Sequence, residues 1–272
     1  MNPQTMTQQQ RLDYLLDVLM QENPEDGAWL QKRYGNTFAL LRGLMNLRPP
    51  HACSEDFLAV QDAYLQELTR EKGIVDAAGL TPSAIHPQLY LWQGDITRLQ
   101  VDAIVNAANS QMLGCWEPNH GCIDNIIHTM SGVQLRRDCA ALMDAQGHDE
   151  PTGRAKLTPA YNLPCRYVLH TVGPIVHGAL TEEHCNLLAA SYQNCLETAA
   201  EHGLQSVAFC CISTGVFGFP NAPAARIAID TARKFLEHST SVQQIVFNVF
   251  KDEDKCIYQT LLSGSPMVDK DF

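Results

Sequence analysis

The chain has 272 residues, 45% of them hydrophobic and 18% charged, an ordinary balance for a globular protein with a buried core. Thirty acidic against nineteen basic residues leave a formal net charge of −11, which argues against non-specific binding to nucleic acid or an anionic membrane. No apolar run nears the ~20 residues that span a bilayer, and ten cysteines with no basic-then-apolar leader ahead of them read as reduced thiols of a cytoplasmic protein.

From Arg11 to about Gly73 apolar residues recur at helical spacing. Leu12, Leu15, Leu16 and Leu19 form one stripe, and Phe57, Leu58, Val60, Tyr64, Leu65 and Leu68 form another. A middle helix is expected over Phe38 to Leu47, Pro49-Pro50 separates the segments, and Lys72-Gly73 supplies a stop. Residues 1–75 therefore read as a helical extension of about three helices, with no chemistry of its own. Residues 76–88 carry Gly79, Pro82 and Pro87 and read as a linker.

From residue 89 to 272 the pattern alternates. Strands are expected at Leu89–Trp92, Ala103–Asn106, Tyr167–Val172, Ser206–Ser213 and Ile245–Phe250, and helices at Asn125–Met143, Glu182–His202, Ala222–His238 and Asp254–Leu262. Such alternation predicts an α/β domain with a largely parallel sheet, whose ligands bind in loops beyond the strand C-termini. Cys210 and Cys211 are neighbours in an expected strand, point to opposite faces, and read as core residues.

Four loops carry candidate chemistry. Gly94-Asp95-Ile96-Thr97 follows the first strand and is either a plain turn or an acceptor for an exocyclic amine. Asn106-Ala107-Ala108-Asn109 ends the second; its small alanines admit a ligand closely, and an Asn amide suits either a ribose edge or an Asx turn. Gly114 to His128 places Cys115, His120 and Cys122 in a turn-rich loop just ahead of Asp124. Two thiolates and an imidazole can hold one zinc with a fourth position open, the arrangement of catalytic sites. In a chain so rich in Cys the same triplet also arises as buried small hydrophobes, and spacing alone leaves both readings standing. Ser213 to Pro220 joins a strand to a helix through Gly215 and Gly218, a geometry that cradles phosphates on backbone amides, with Phe217 and Phe219 available to stack. It is neither a Walker A loop nor a G-x-G-x-x-G fingerprint.

Taken in order, GDIT, VNAAN, the loop ending in Asp124, HTVGP (His170–Pro174) and STGVFGFP resemble the macrodomain family, over roughly Gln88 to Leu262. The run from Thr152 through HTVGP is similar to that family's central strand region throughout. The step from Asn109 to Asp124 is fifteen residues, longer than the glycine-rich loop of many macrodomains, and the excess is filled by the Cys115/His120/Cys122 cluster. That insertion and the helical extension resemble a zinc-dependent microbial subgroup.

The resemblance implies a three-layer α/β/α macrodomain with a mixed, largely parallel sheet. It implies ADP-ribose as ligand and a Zn2+ cofactor on Cys115, His120 and Cys122. Asp95 would take the adenine amine, with Ile96 adding a backbone contact. Ser213, Thr214, Gly215, Val216, Phe217 and Gly218 would enclose the diphosphate, the amides of Gly215, Val216 and Gly218 donating and Phe217 lying against the distal ribose. Asn109 and Asp124 would be the catalytic pair, Asn109 on the ribose hydroxyls and Asp124 orienting the ribose or an attacking water. His128 and His170 read as structural. The implied activity is removal of mono-ADP-ribose from protein side chains by a monomer. Alternatives are an ADP-ribose reader with a structural zinc and an O-acetyl-ADP-ribose deacetylase. The implied substrate is a lipoyl-carrier protein modified by a sirtuin-like transferase.

Overall fold

Four helices open the chain: α1 (Gln8–Glu22), α2 (Pro24–Tyr34), α3 (Phe38–Leu47) and α4 (Glu55–Lys72). Thr7 and Gln10 close a capping box on α1, Ser54 caps α4, and Gly73 ends α4 with φ +83°. The two predicted stripes meet: Leu15, Leu16 and Leu19 pack with Phe57, Val60 and Leu65 around Leu40, Leu41 and Leu44 of α3. Apolar spacing does not reveal α2, because Leu30 is its one large buried side chain. Its signals lie at its ends instead, with Asn23 as cap, Pro24 at the first position, Glu25 and Asp26 in the first turn and Lys32 and Arg33 in the last.

The computed structural model describes residues 3–238 and 240–264; residues 1, 2 and 239 lie outside the described residues, as do 265–272, which close the expected 89–272 unit. After α4, β1 (Val75–Asp76) pairs with β3 (Leu99–Gln100), and between them Ala77 enters the main core and Pro82 bridges to Tyr90. The main sheet contains β2 (Leu89–Gln93), β4 (Ala103–Ala107), β5 (Ala155–Pro159), β6 (Tyr167–Thr171), β7 (Ser206–Phe209) and β8 (Gln244–Val249), in the order β2-β8-β7-β4-β6-β5. Its pairings are parallel except β5 with β6.

Helices α5 (Ile123–Ser131) and α6 (Val133–Gln146) connect β4 to the β5–β6 pair, while α7 (Glu182–Glu201) and α8 (Asn221–Leu236) carry the chain back through β7 to β8, followed by α9 (Asp252–Leu262). Right-handed crossovers that travel in opposite directions along a sheet lie on opposite faces. The two helix groups therefore sandwich the sheet, as a three-layer α/β/α arrangement requires. Val133 of α6 joins the core of the N-terminal helices, so the extension packs on this layer.

Two boundaries differ from expectation, and one strand is additional to it. The strand begun at Ser206 stops at Phe209, and 210–213 already belongs to a loop, although Cys210 is buried as expected. The helix expected over 125–143 is two, broken at Gly132 with φ +101°. The edge strand β5 lacks an apolar run and ends on Pro159, which an edge tolerates.

Candidate functional site

The loops after β2, β4, β6, β7 and β8 gather at the C-terminal ends of the parallel strands, where β4 is the point of topological reversal. Asp124 lies in the first turn of α5, 5% exposed, with its Oδ1 accepting from Asn106 Nδ2 at 2.7 Å. The other Asn106 amide hydrogen faces His170 Nδ1 at 3.2 Å, and His170 Nε2 donates to Thr158 Oγ1 at 2.9 Å. A buried chain Thr158–His170–Asn106–Asp124 thus fixes the carboxylate from beneath. Burial pushes the Asp124 carboxyl up to about 6 against the opposing pulls of Asn106 and Arg136. His128 Nε2 stands 3.5 Å from Asp124 Oδ1, as their shared helix face predicts, and burial holds the imidazole neutral.

Cys115, His120 and Cys122 converge. Their donor atoms lie within 4.8 Å of one another, and Cys115 Sγ is 3.6 Å from His120 Nδ1. Zinc–sulfur and zinc–nitrogen bonds of about 2.3 and 2.05 Å at a tetrahedral angle put S and N about 3.6 Å apart, so this spacing fits a shared ion. Cys122 is the N-cap of α5, its sulfur taking the Asn125 N–H at 3.4 Å. Burial pushes the Cys122 thiol up to about 12, with the Asn125 amide pulling the other way, so its thiolate calls for a cation beside it. These three half-buried side chains are a fitting donor set for zinc.

A second group of ligand type, His128, Cys139 and His170, is not comparable. Both His170 nitrogens are engaged by Asn106 and Thr158, and burial pushes the Cys139 thiol far above its usual range.

Asn109 closes an Asx turn: its Oδ1 accepts from Gln111 N and Met112 N at 3.0 and 3.1 Å, and its Nδ2 donates to Gly114 O at 3.2 Å. Asp95 caps the short turn Ile96–Arg98 through Thr97, while its Oδ2 faces Lys72 Nζ of α4 at 3.9 Å. The Ile96 side chain is buried in the core, leaving only its backbone for a ligand.

The loop after β7 folds on itself. Ser213 sits in the left-handed region at φ +65°, with a buried Oγ that has no hydrogen-bond partner among the described residues. Gly173 packs so close that an added Cβ would meet that Oγ at 2.1 Å. Gly218, at φ +69°, donates its amide to Gly215 O across a tight turn. The amides of Gly215, Val216 and Phe217 make no such bond among the described residues. Phe219 is 1% exposed and belongs to the core, which removes it as a stacking ring, whereas Phe217 is half-buried.

Sequence reading passed over three contributors. Phe250, 76% exposed, follows β8, and Gln93 Nε2 donates to its carbonyl. Asn106 was noted only as part of a motif, though a buried Asn inside a central strand signals a polar partner. Arg42 of α3 donates to His120 O at 2.7 Å and Asn125 Oδ1 at 2.8 Å, from a segment that looked free of chemistry.

A buried carboxylate at a helix start, a Cys/His/Cys cluster on the preceding loop and a strained strand-to-helix loop, at the mouth of a mixed α/β/α sheet, define a ligand-binding enzyme of macrodomain type. The Macro domain family model matches residues 105–228. A Treponema medium protein named protein-ADP-ribose hydrolase is 54% identical over 95% of this chain and 100% of its own. A Staphylococcus aureus (strain MSSA476) protein of the same name is 47% identical over 92% of this chain and 94% of its own. The crystal structure of a Trypanosoma brucei macrodomain in complex with ADP-ribose superposes with a TM-score of 0.63 at 34% identity, covering 80% of this chain and 94% of that one. The chain belongs to the Macro domain family.

Proposed function

We propose that this protein is a protein-ADP-ribose hydrolase that frees ADP-ribose from modified protein side chains with the help of zinc. The observation that carries the reading is a fixed, buried Asp124 beside a Cys115/His120/Cys122 cluster whose donors fit a shared ion. Relatives covering nearly the whole chain at 47–54% identity bear the hydrolase name.

Asp95 and the exposed Phe250 ring offer an amine acceptor and a stacking face to the base. Free amides at Gly215, Val216 and Phe217 offer donors to the diphosphate, with the loop bent over by the left-handed Ser213. Asn109 holds the loop around the distal ribose and retains an amide hydrogen for its hydroxyls. Asp124, aimed by Asn106, orients the ribose or the attacking water as the bond at the anomeric carbon breaks. Zinc bound by Cys115, His120 and Cys122 would supply an electrophile with one open position for an oxygen. A lipoyl-carrier protein modified by a sirtuin-like transferase remains the proposed substrate. A Fusarium oxysporum relative, 40% identical over 84% of this chain and 41% of its own, is named a probable bifunctional ADP-ribose hydrolase/ADP-ribosyltransferase, which fits a pairing of the two activities.

The test follows free ADP-ribose from an auto-modified ADP-ribosylated protein. Wild type should turn over, and both chelated enzyme and Cys115→Ala should fall by at least ~100-fold. Equal turnover of all three rejects the zinc role. ADP-ribose binding with no turnover by wild type would make the protein a reader instead.

A further inference from the structure

Helix α3 of the N-terminal extension lies against the back of the loop that carries the three donors. Asn46 Oδ1 accepts from Asn119 N at 3.0 Å, and Asn119, itself left-handed at φ +58°, donates its side-chain amide to Ala39 O at 2.9 Å. Gly43 leaves room for that contact, since an added Cβ would come within 3.3 Å of Asn119 Nδ2. Arg42 donates Nη2 to the carbonyl of His120 and Nε to Asn125 Oδ1. Asn125 in turn donates Nδ2 to Glu117 O at 2.9 Å and its backbone amide to Cys122 Sγ. From α6, Arg136 donates to Leu113 O and Cys115 O on the loop and to Met45, Asn46 and Arg48 carbonyls at the end of α3, and stacks 4.1 Å from the Trp116 ring centre.

The loop has no regular structure of its own between Ser110 and Cys122. Three donors on such a segment bind an ion tightly only if their separation is fixed beforehand; otherwise binding must also order the backbone. Arg42 touches the backbone of one donor and, through Asn125, the segment ending in another. One planar guanidinium spans two acceptors, one on the loop and one in the first turn of α5, which a lysine ammonium on a flexible stem does not reproduce.

We infer that the helical extension is a splint for the metal loop, with Arg42 as a positioning residue that presets the Cys115/His120/Cys122 donors for zinc. This rests on the zinc reading proposed above.

Zinc affinity, measured by competition with a chromophoric chelator, tests it in wild type, Arg42→Gln, Arg42→Lys and Cys115→Ala, with thermal midpoints of the metal-free proteins as a folding control. Arg42→Gln should bind zinc about 10- to 100-fold more weakly, with hydrolysis recovering as zinc is raised to saturation. Arg42→Lys should be weakened at least ~5-fold, because it keeps the charge and loses the fork. Wild-type affinity in both variants overturns the inference, and wild-type affinity in Arg42→Lys alone overturns positioning in favour of charge. If Arg42→Gln does not fold, Arg42→Lys decides. If wild type and Cys115→Ala bind zinc equally poorly, the zinc reading itself fails, and this inference with it.

Discussion

Asp124 is useful because of what stands behind it. One face of its carboxylate is committed to Asn106, whose second amide hydrogen is committed to His170, so the side chain cannot rotate without breaking a buried chain of bonds. Asp124→Asn keeps shape and the Asn106 contact yet removes the charge. It should lower kcat for ADP-ribose release by about 100-fold or more while ADP-ribose still binds in calorimetry. An unchanged kcat would move the chemistry elsewhere in the loop. Asn109 is accounted for structurally by its Asx turn, which pins the start of the loop that follows β4.

Among the elements, the α5–α6 junction matters most. Gly132 breaks what apolar spacing reads as one helix, and the turn lets α5 aim Asp124 at the sheet mouth while α6 sends Arg136 back to the loop that carries Cys115, His120 and Cys122. Gln61 of α4 completes the junction by accepting from Val133 N at 2.9 Å. A Cβ at 132 would meet Gln61 Nε2 at 2.6 Å and Gln134 Oε1 at 2.7 Å, on a backbone at φ +101° that side chains disfavour. Gly132→Ala should therefore cost at least ~2 kcal/mol, read from urea unfolding of the metal-free protein. Stability within ~0.5 kcal/mol of wild type would show that the junction relaxes freely.

Across the whole molecule, two imidazoles are buried uncharged under the site. Burial lowers His170 to about 3 and keeps His128 well below its usual value. Unfolded histidines protonate near 6.5, so below that pH the unfolded chain takes up protons that the fold refuses, and stability falls. Asp124 acts in the opposite sense, because its raised carboxyl near 6 binds a proton before an unfolded aspartate does at about 3.9. Two histidines against one carboxyl leave a net loss of stability as the pH falls between about pH 6 and 4. Urea midpoints should drop from pH 7 to pH 5; a midpoint that holds or rises would contradict the buried neutral pair. By itself the sequence determined the alternation of strands and helices, the helical stripes of the extension and the order of the five loop motifs, because each is a local pattern of period or composition. It also brought Cys115, His120, Cys122 and Asp124 into view, since they lie within ten residues of one another. Only tertiary structure decided that Phe219 turns inward, that Asn106 and His170 hold Asp124, and that Arg42 reaches His120. These are contacts between segments up to 78 residues apart, fixed by how helices and sheet pack, and no local pattern encodes them.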